Sequence, residues 1–243
     1  MRMLEGRTVA ITGGGGGLGR CYGPALAAAG AKVAVSDIDV AAAQATADAI
    51  GAAGGRAIAV RADATRAEDF ERFLDQTEGE LGPLDAFVNL AGVFPKSTLA
   101  EMTEEHWDSV MALNLKSVFL GSRAALRRML PRKRGVILSA ASGTAQRGSP
   151  RGSAYTASKA GIISFTKSVS IELRDTGVRI NCFAPGPTDT PLWREGRNPS
   201  DLQRMVDSGN VYKPEEFSNV VVFLVSDQSA PLNGEFINRD LYR

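Results

Sequence analysis

The chain has 243 residues, 44% of them hydrophobic, and a formal net charge of +1 at pH 7. One substantial core fits this length whereas a large second domain does not, and the balanced charge without a dense basic run argues against a nucleic-acid partner. No apolar stretch is long enough to span a membrane, no signal-peptide core opens the chain, and there are only two cysteines, Cys21 and Cys182, so we expect a soluble cytoplasmic protein without disulfides or a membrane partner.

Strand and helix patterns alternate along the chain. Apolar, β-branched runs predict strands at 8–12, 32–36, 56–61, 84–89, 135–141, 178–183 and 234–238. Helical patterns occupy 18–29, 40–53, 66–80, 103–130, 153–175 and 214–226. This alternation predicts an α/β fold, a single doubly wound domain over 1–243 with a mostly parallel seven-stranded sheet and helices on both faces. A long irregular segment at about 185–213, with a short helix after Pro199, follows a strand end and is predicted to be a substrate lid.

A run of glycines separates the first strand from the first helix. Each glycine costs roughly 0.5–1 kcal/mol against alanine inside a regular element, so a run this long needs a reason. A flexible loop is one reading, and a turn that brings bare amides and a helix N-terminus against a pyrophosphate is the favoured one. The run fits three glycine spacings at once, through Gly14, Gly16 and Gly19, through Gly13, Gly16 and Gly19, or through Thr12, Gly13, Gly17 and Gly19.

An acid ends the second strand. Asp37 lies 18 residues beyond Gly19, close to the spacing at which an acidic side chain accepts hydrogen bonds from an adenosine ribose. A carboxylate there repels a 2′-phosphate, and Ile38 rather than an arginine follows it. The pattern therefore favours NAD over NADP, while a solvated acid that caps the next helix is the alternative interpretation.

Tyr155 and Lys159 lie four residues apart in a predicted helix, so both side chains emerge on one face. At about 4 Å and an effective dielectric of about 20, an ammonium stabilises a phenolate by roughly 4 kcal/mol. That is an upper bound of about three pKa units for a tyrosine that starts near 10. We therefore expect a lowered pKa at Tyr155 and a role as general acid/base, although such a pair alone occurs on many ordinary helices.

Together these residues resemble the short-chain dehydrogenase/reductase family in its compact single-domain branch, from Thr8 to about Asp240. The glycine run is similar to the family's cofactor turn, and Asn89-Leu-Ala-Gly92 to its Asn-Asn-Ala-Gly motif. The resemblance implies a Rossmann-type fold that binds NAD. The cofactor-binding residues that the motifs together indicate are Gly13, Gly16, Gly17, Leu18, Gly19, Asp37, Ile38, Asp63, Ala64, Asn89, Ala91, Gly92, Tyr155, Lys159, Pro185, Gly186, Thr188 and Thr190.

The same resemblance implies four catalytic residues, Asn114, Ser142, Tyr155 and Lys159. Ser142 would orient the substrate oxygen, Tyr155 would exchange its proton, and Lys159 would lower the tyrosine pKa and hold the nicotinamide ribose. Asn114 would anchor a water that links Lys159 to solvent. Taken alone, Ser142 also fits a simple strand end, and Asn114 fits an interior polar residue bonded to a backbone carbonyl. The chain departs from the family at Leu90, at Thr188 and in its tail from Asn238 to Arg243.

The leading functional hypothesis is an oxidoreductase that transfers a hydride between NAD(H) and a secondary alcohol or ketone, with no metal. One alternative is a non-catalytic nucleotide-sensing or scaffolding protein on the same fold, although such proteins tend to lose a catalytic side chain. Another is a nucleotide-sugar epimerase or dehydratase, which needs a further substrate domain. His106, the sole histidine, is predicted to be a surface residue near a Thr103 helix cap, which weakens hydrolase readings.

The substrate pocket is predicted around Val93-Phe94, 143–148 and 187–197. Trp193 is a candidate to close over an apolar ligand. Arg194 and Arg197 are candidates either to bind an anionic group of the substrate or to lie on the solvated surface. Gln146 and Arg147 are candidates to contact polar groups of the substrate. Helices 103–130 and 153–175 carry more apolar residues than one buried stripe needs, so we predict a homodimer or homotetramer.

Overall fold

The computed structural model of the protein describes residues 2–195 and 197–239. Its sheet has seven strands in the order β3-β2-β1-β4-β5-β6-β7, and every pairing between them is parallel. The strands are β1 Thr8–Thr12, β2 Lys32–Asp37, β3 Arg56–Arg61, β4 Leu84–Asn89, β5 Gly135–Ala140, β6 Val178–Ala184 and β7 Phe236–Asn238. The predicted α/β, doubly wound Rossmann-type architecture is confirmed.

Helices cover both faces of this sheet. They are α1 Gly19–Ala28, α2 Val40–Ala52, α3 Ala67–Leu81, α4 Glu104–Met111, α5 Ser117–Met129, α6 Thr144–Arg147, α7 Ser153–Glu172, α8 Pro191–Arg194, α9 Pro199–Asp207 and α10 Ser218–Val225. The helix predicted at 103–130 is confirmed from Glu104 to Met129, and it contains a π-helical turn at Ala112–Lys116, between α4 and α5, that was not predicted. The short helices α6 and α8 were not predicted, whereas the helix after Pro199 is confirmed as α9.

Two hydrophobic cores lie on opposite faces of the sheet. Successive side chains of a strand point to opposite faces, so a strand buried on both reads as a continuous apolar run. In β1, Val9 and Ile11 pack with the core under α1 and α10. Ala10 faces the other core, which holds Phe73 of α3 and Leu120 of α5. The fully buried β1 explains why its sequence shows no polar alternation.

The order in which strands are added to the sheet changes side at β1. After β1 the strands run outward to β3, and the chain then returns to place β4 on the other side of β1. Ligands of open α/β sheets bind at such a switch point, beyond the carboxyl ends of the strands. Here those ends are joined, since the Thr12 hydroxyl accepts hydrogen bonds from the amides of Leu90 at 3.2 Å and Ala91 at 3.4 Å.

Several smaller predictions can also be compared with the structure. The Thr103 hydroxyl accepts a bond from the His106 amide at 3.1 Å, which confirms the predicted cap of α4. Both cysteines are free thiols, and burial raises the pKa of Cys21 to about 11 and that of Cys182 to about 12. In the described ranges, no helix is both long and apolar enough to cross a membrane. Tail residues 240–243 lie outside the described residues.

Candidate active site

The glycine turn follows β1 and is shaped by backbone contacts that exclude side chains. Gly13 has a φ of 63°, and a Cβ there would lie 2.8 Å from the Ala91 backbone. A Cβ on Gly19 would lie 2.4 Å from the Cα of Gly14, so Gly19 closes the turn against itself. At Gly16 the only neighbour within 4 Å is the Gly13 carbonyl at 3.3 Å, which leaves open space beside the turn. Gly13, Gly14 and Gly19 all have close contacts, so no one of the three predicted spacings accounts for the run.

Asp37 links the end of β2 to this turn. Its carboxylate accepts hydrogen bonds from the Gly15 amide at 3.0 Å and from the Asp39 amide at 3.2 Å. The neighbouring Ile38 side chain is 59% exposed and uncharged, so the residue that follows the acid adds no positive charge at this position. Asp37 therefore has a structural role in the turn as well as the predicted place at the cofactor site.

A cleft of about 460 Å³ lies over the glycine turn and the ends of β1, β2 and β4. Of the predicted cofactor residues, it is lined by Gly13, Gly16, Gly17, Leu18, Asp37, Ile38, Asp63, Ala64, Ala91, Gly92 and Thr190. Its volume lies within the range of small-molecule sites. The open space at Gly16, the start of α1 and the Asp37 carboxylate beside the turn fit the pyrophosphate and ribose of a dinucleotide.

A second cleft of about 340 Å³ adjoins the first at the carboxyl end of β5. Five further predicted cofactor residues and Ser142 line it, namely Tyr155, Lys159, Pro185, Gly186 and Thr188. Leu18, Gly92 and Thr190 line both clefts, so the two spaces meet at the end of the glycine turn. Ser142, Tyr155 and Lys159 are thus brought together beside the proposed dinucleotide site, as the sequence predicted.

Two predicted cofactor residues do not line either cleft. The Asn89 side chain is buried and donates to Ser139 Oγ at 3.1 Å and to Ser122 Oγ at 3.4 Å. It therefore joins β4 to β5 and α5, and the prediction that it contacts the cofactor is not supported by its position. Gly19 packs against Gly14, so it determines the shape of the turn and does not form part of its open surface.

Lys159 is buried between α7 and the sheet. Its ammonium donates to the Ala140 carbonyl at 2.7 Å and lies 5.7 Å from the centre of the Tyr155 ring. Burial lowers the pKa of Lys159 to about 8 because a charged amine loses its hydration there. An ammonium has three donors. Lys159 lines the second cleft, so the donors that Ala140 does not use are available to hydroxyl or carbonyl oxygens there.

The expected lowering of the Tyr155 pKa is wrong for the protein without cofactor. Burial raises the pKa of Tyr155, and a hydrogen bond with Ser142 only partly opposes that rise. The loss of hydration in this buried position is the larger effect, because it disfavours the charged phenolate. The Phe94 ring, stacked on Tyr155 with centroids 4.1 Å apart, contributes to this burial.

Ser142 is held by a neighbour that the sequence did not indicate. Its hydroxyl accepts bonds from the Thr144 amide at 3.2 Å and the Thr144 hydroxyl at 3.0 Å. Its one proton is left to donate within the cleft, where Tyr155 is its hydrogen-bond partner. The signal that was overlooked is the short Ser-x-Thr spacing, which is typical of a hydroxyl-stabilised turn.

Asn114 lies in the π-helical turn and is fully buried. Its amide donates to the Val93 carbonyl at 3.0 Å and to Ser158 Oγ at 3.2 Å, and its carbonyl accepts from the Val93 amide at 2.8 Å. These contacts match the alternative reading of an interior residue bonded to backbone. They fix the segment after β4 against α7, and the predicted water anchor stays a prediction.

The segment after β6 covers the second cleft. The Tyr212 amide bonds to the Pro187 carbonyl at 2.8 Å, and the Asp189 amide to the Tyr212 carbonyl at 2.9 Å, which brings the two ends of the segment together. Trp193 and Arg197 line the cleft, whereas Arg194 does not and instead pairs with Asp189 at 2.5 Å. Gln146 is outside the lining and accepts a bond from Asn238 at 2.9 Å.

Comparison with known proteins gives consistent matches over nearly the whole chain. A family model described as short chain dehydrogenase matches residues 7–201. A 3-oxoacyl-(acyl-carrier-protein) reductase of Synechocystis sp. is 35% identical over 99% of this chain and 98% of its own. A 3beta-hydroxysteroid dehydrogenase 2 of Eggerthella lenta is 34% identical over 98% and 95%. The crystal structure of a short-chain type dehydrogenase/reductase from Mycobacterium marinum aligns with a TM-score of 0.88 at 31% identity, covering 97% of this chain and 94% of that one.

Proposed function

The chain belongs to the short-chain dehydrogenase/reductase family, and we propose that it interconverts a secondary alcohol and a ketone with a nicotinamide cofactor, NAD in preference to NADP. The observation that carries this proposal is the meeting of the two clefts beside Gly92 and Thr190. One cleft offers a glycine cradle, and the other holds Tyr155. The names of two relatives, a 3-oxoacyl reductase and a hydroxysteroid dehydrogenase, describe a ketone and an alcohol and support the same class.

The cofactor would extend from the first cleft into the second. Gly13, Gly16 and Gly17 would cradle the pyrophosphate, and Asp37 would receive the adenosine ribose hydroxyls. Lys159 would hold the second ribose with the donors that Ala140 does not use. When bound, the nicotinamide supplies or accepts the hydride of the reaction. The support for NAD is the carboxylate of Asp37 beside the exposed, uncharged Ile38, because a 2′-phosphate would meet a like charge there.

The protein's own part in the reaction is to orient the substrate and to move one proton. Ser142 donates a hydrogen bond to the substrate oxygen and fixes its distance from Tyr155. In the reduction direction, the Tyr155 hydroxyl gives its proton to that oxygen as the carbon–oxygen double bond is lost. The raised pKa of Tyr155 keeps the phenol protonated, so a proton is present on it for this step. In the oxidation direction, the Tyr155 oxygen must first lose its proton before it can accept one from the alcohol. Higher pH favours that loss.

We further propose that 1–243 is one cofactor-binding domain with a lid at about 185–213. Thr188, Leu192 and Trp193 of this segment line the clefts, which supports its role over the substrate. Self-association into a dimer or tetramer is proposed through α5 and α7. Most of the excess apolar residues predicted on these helices pack inside the molecule, but Phe119 is 42% and Ile171 58% exposed.

An absorbance assay at the reduced-nicotinamide band tests the function. Purified protein is offered a panel of ketones with NADH, and secondary alcohols with NAD, each in parallel with the NADP form. Turnover with NADH at a higher kcat/KM than with NADPH supports the proposal. Tight NAD binding without turnover of any substrate would instead favour the nucleotide-sensing alternative.

A further inference from the structure

Arg197 is shared by two spaces outside the cofactor cleft. It lines the cleft that holds Ser142 and Tyr155, and it also lines an open cavity of about 540 Å³ farther out. Lys96 lines the outer cavity from the loop after β4. The guanidinium of Arg197 therefore stands at the point where a substrate that begins at Tyr155 would leave the protein.

Arg197 and Lys96 line this exit, and a third cation, Arg151, lies close enough to Lys96 to act on its charge. Lys96, Arg151 and Arg197 come from different parts of the chain, and the Ser97 amide bonds to the Arg151 carbonyl at 3.0 Å, which holds two of those parts together. Burial lowers the pKa of Lys96, and the charges of Arg197 and Arg151 lower it further. The acid that opposes this effect is Glu195. Within residues 2–195 and 197–239, none of the three cations has an ion pair.

The neighbouring cations of the lid are neutralised. Arg194 pairs with Asp189 through both carboxylate oxygens, at 2.5 and 2.7 Å, and Arg204 pairs with Asp201. Arg197 instead bonds through Nε to the Trp193 carbonyl at 2.6 Å, with its guanidinium 4.7 Å from the Trp193 ring centre. These contacts hold the charge in place without cancelling it, as a preformed anion site requires.

We propose that the substrate carries an anionic group, a carboxylate or a phosphate, which binds between Arg197 and Lys96 while its ketone or alcohol lies at Tyr155. This inference rests on the proposed function, which places the ketone or alcohol of the substrate at Tyr155. The planar guanidinium of arginine can donate two parallel hydrogen bonds to a carboxylate or a phosphate, and a lysine beside it adds a second positive charge. Carboxylates and phosphates both present negatively charged oxygens to these donors. The experiment below distinguishes the two anions.

The test compares ketones that differ only in charge. One pair is levulinate and methyl levulinate, and the other is hydroxyacetone phosphate and hydroxyacetone. We expect kcat/KM to be about tenfold or more higher for the anionic member of at least one pair, since a hydrogen bond to a charged group is worth that much. The pair with the larger ratio identifies the anion. Added salt should lower kcat/KM for the anion and not for its neutral partner.

Charge-removing variants locate the site. Arg197→Gln and Lys96→Gln should each lower kcat/KM for the preferred anion about tenfold and change that of the neutral ketone less than about twofold. Arg194→Gln is the matched control, because this arginine is exposed, lies in the same segment and is already paired. Lys96 lies outside the lid, so a loss there is not explained by a misfolded lid. Equal use of charged and neutral ketones, or equal losses for both in the variants, overturns the proposal.

A binding measurement separates this proposal from the proposed function. In a Trp107→Phe background, Trp193 is the only tryptophan, and its fluorescence reports on the stacked Arg197. Saturable quenching by levulinate or hydroxyacetone phosphate that Arg197→Gln and Lys96→Gln abolish supports the anion site even if no ketone is reduced. In that case only the oxidoreductase proposal fails. Absence of saturable quenching by either anion, together with no charge preference in turnover, refutes the anion site alone.

Discussion

The Asp37 carboxylate accepts a 3.0 Å hydrogen bond from the Gly15 amide, so the acid that ends β2 also fixes the glycine turn. Replacing Asp37 therefore alters two properties at once, the shape of the turn and the choice of cofactor. Ile38 separates the two effects, because its side chain is exposed and lies beside the acid in the cleft lining.

Ile38→Arg should raise the affinity for NADP about tenfold and leave that for NAD within about twofold, because a guanidinium pairs with the added phosphate while the Asp37 bond stays intact. The affinities are measured by fluorescence titration with NADH and NADPH. Ile38→Gln, a neutral variant of similar length, is the control. A gain for NADPH in both variants would show that charge is not the cause.

Tyr155→Phe should lower kcat by about a hundredfold to ten-thousandfold, the usual contribution of a general acid, and leave NAD binding nearly unchanged. The matched control is Tyr22→Phe. The Tyr22 hydroxyl is buried and has no hydrogen-bond partner in the described part of the chain, and its ring packs near Phe183 with centroids 6.1 Å apart. This control should keep full activity. Retention of more than a few per cent of activity in Tyr155→Phe would show that another group moves the proton.

Local patterns predicted most of the fold because the parallel strands are buried runs with clear ends. The strands at 56–61 and 84–89 match β3 and β4 residue for residue. The π-helical turn was missed because one wider turn hardly changes the apolar periodicity of the helix that contains it. The bonds from the Asn114 side chain in this turn to the Val93 backbone were missed as well, because they join segments that are 21 residues apart.

The site was predicted in position but not in electrostatics. The spacing between Tyr155 and Lys159 was enough to place both in one cleft. The direction of the Tyr155 pKa shift could not be predicted from this spacing, because it depends on how much water the packing removes from the phenol. Phe94, which stacks on that ring, is far away in sequence, and no spacing rule indicates the stack.

Lys159→Met should stabilise the protein without cofactor at pH 7 while it abolishes turnover. Burial lowers the lysine pKa from 10.5 to about 8. At 1.36 kcal/mol per unit, this shift corresponds to about 3 kcal/mol of cost for the buried charge. The Ala140 carbonyl loses its donor in the variant, so we expect a net gain of about 1–3 kcal/mol in the free energy of unfolding. Urea denaturation monitored by circular dichroism measures it.

The advantage of Lys159→Met should shrink as pH rises from about 8 toward 10.5. In that window the unfolded wild type holds a proton on this lysine that the folded state has released, so wild-type stability rises with pH and the variant lacks this contribution. Lys167→Met, on the exposed side of the same helix, is the control and should change stability by less than about 0.5 kcal/mol. A gap between Lys159→Met and wild type that stays constant with pH would mean that the buried ammonium carries no such penalty.

Gly17→Ala should impair cofactor binding by displacing the start of the lid. A Cβ at this position would lie 2.8 Å from both Cβ and Cγ2 of Thr190 and 3.1 Å from Cδ of Pro191. Overpacking of this kind costs about 1–3 kcal/mol. We expect this cost to appear as weaker NADH binding in a fluorescence titration, because Gly17 and Thr190 both line the cofactor cleft. Thr190→Ser in the same background removes Cγ2, keeps the hydroxyl that caps α8, and should restore part of the affinity.

Gly51→Ala is the matched control for this substitution. Gly51 lies within α2, and a Cβ there would meet nothing within 4 Å. Alanine should therefore leave NADH binding unchanged and stabilise the protein by about 0.5–1 kcal/mol, because glycine loses more backbone entropy in a helix. The contact between turn and lid therefore predicts weaker NADH binding in Gly17→Ala and unchanged NADH binding in Gly51→Ala. If Gly17→Ala bound NADH as well as Gly51→Ala does, Thr190 would not be pressed against the turn, and the lid would not be coupled to the cofactor cradle.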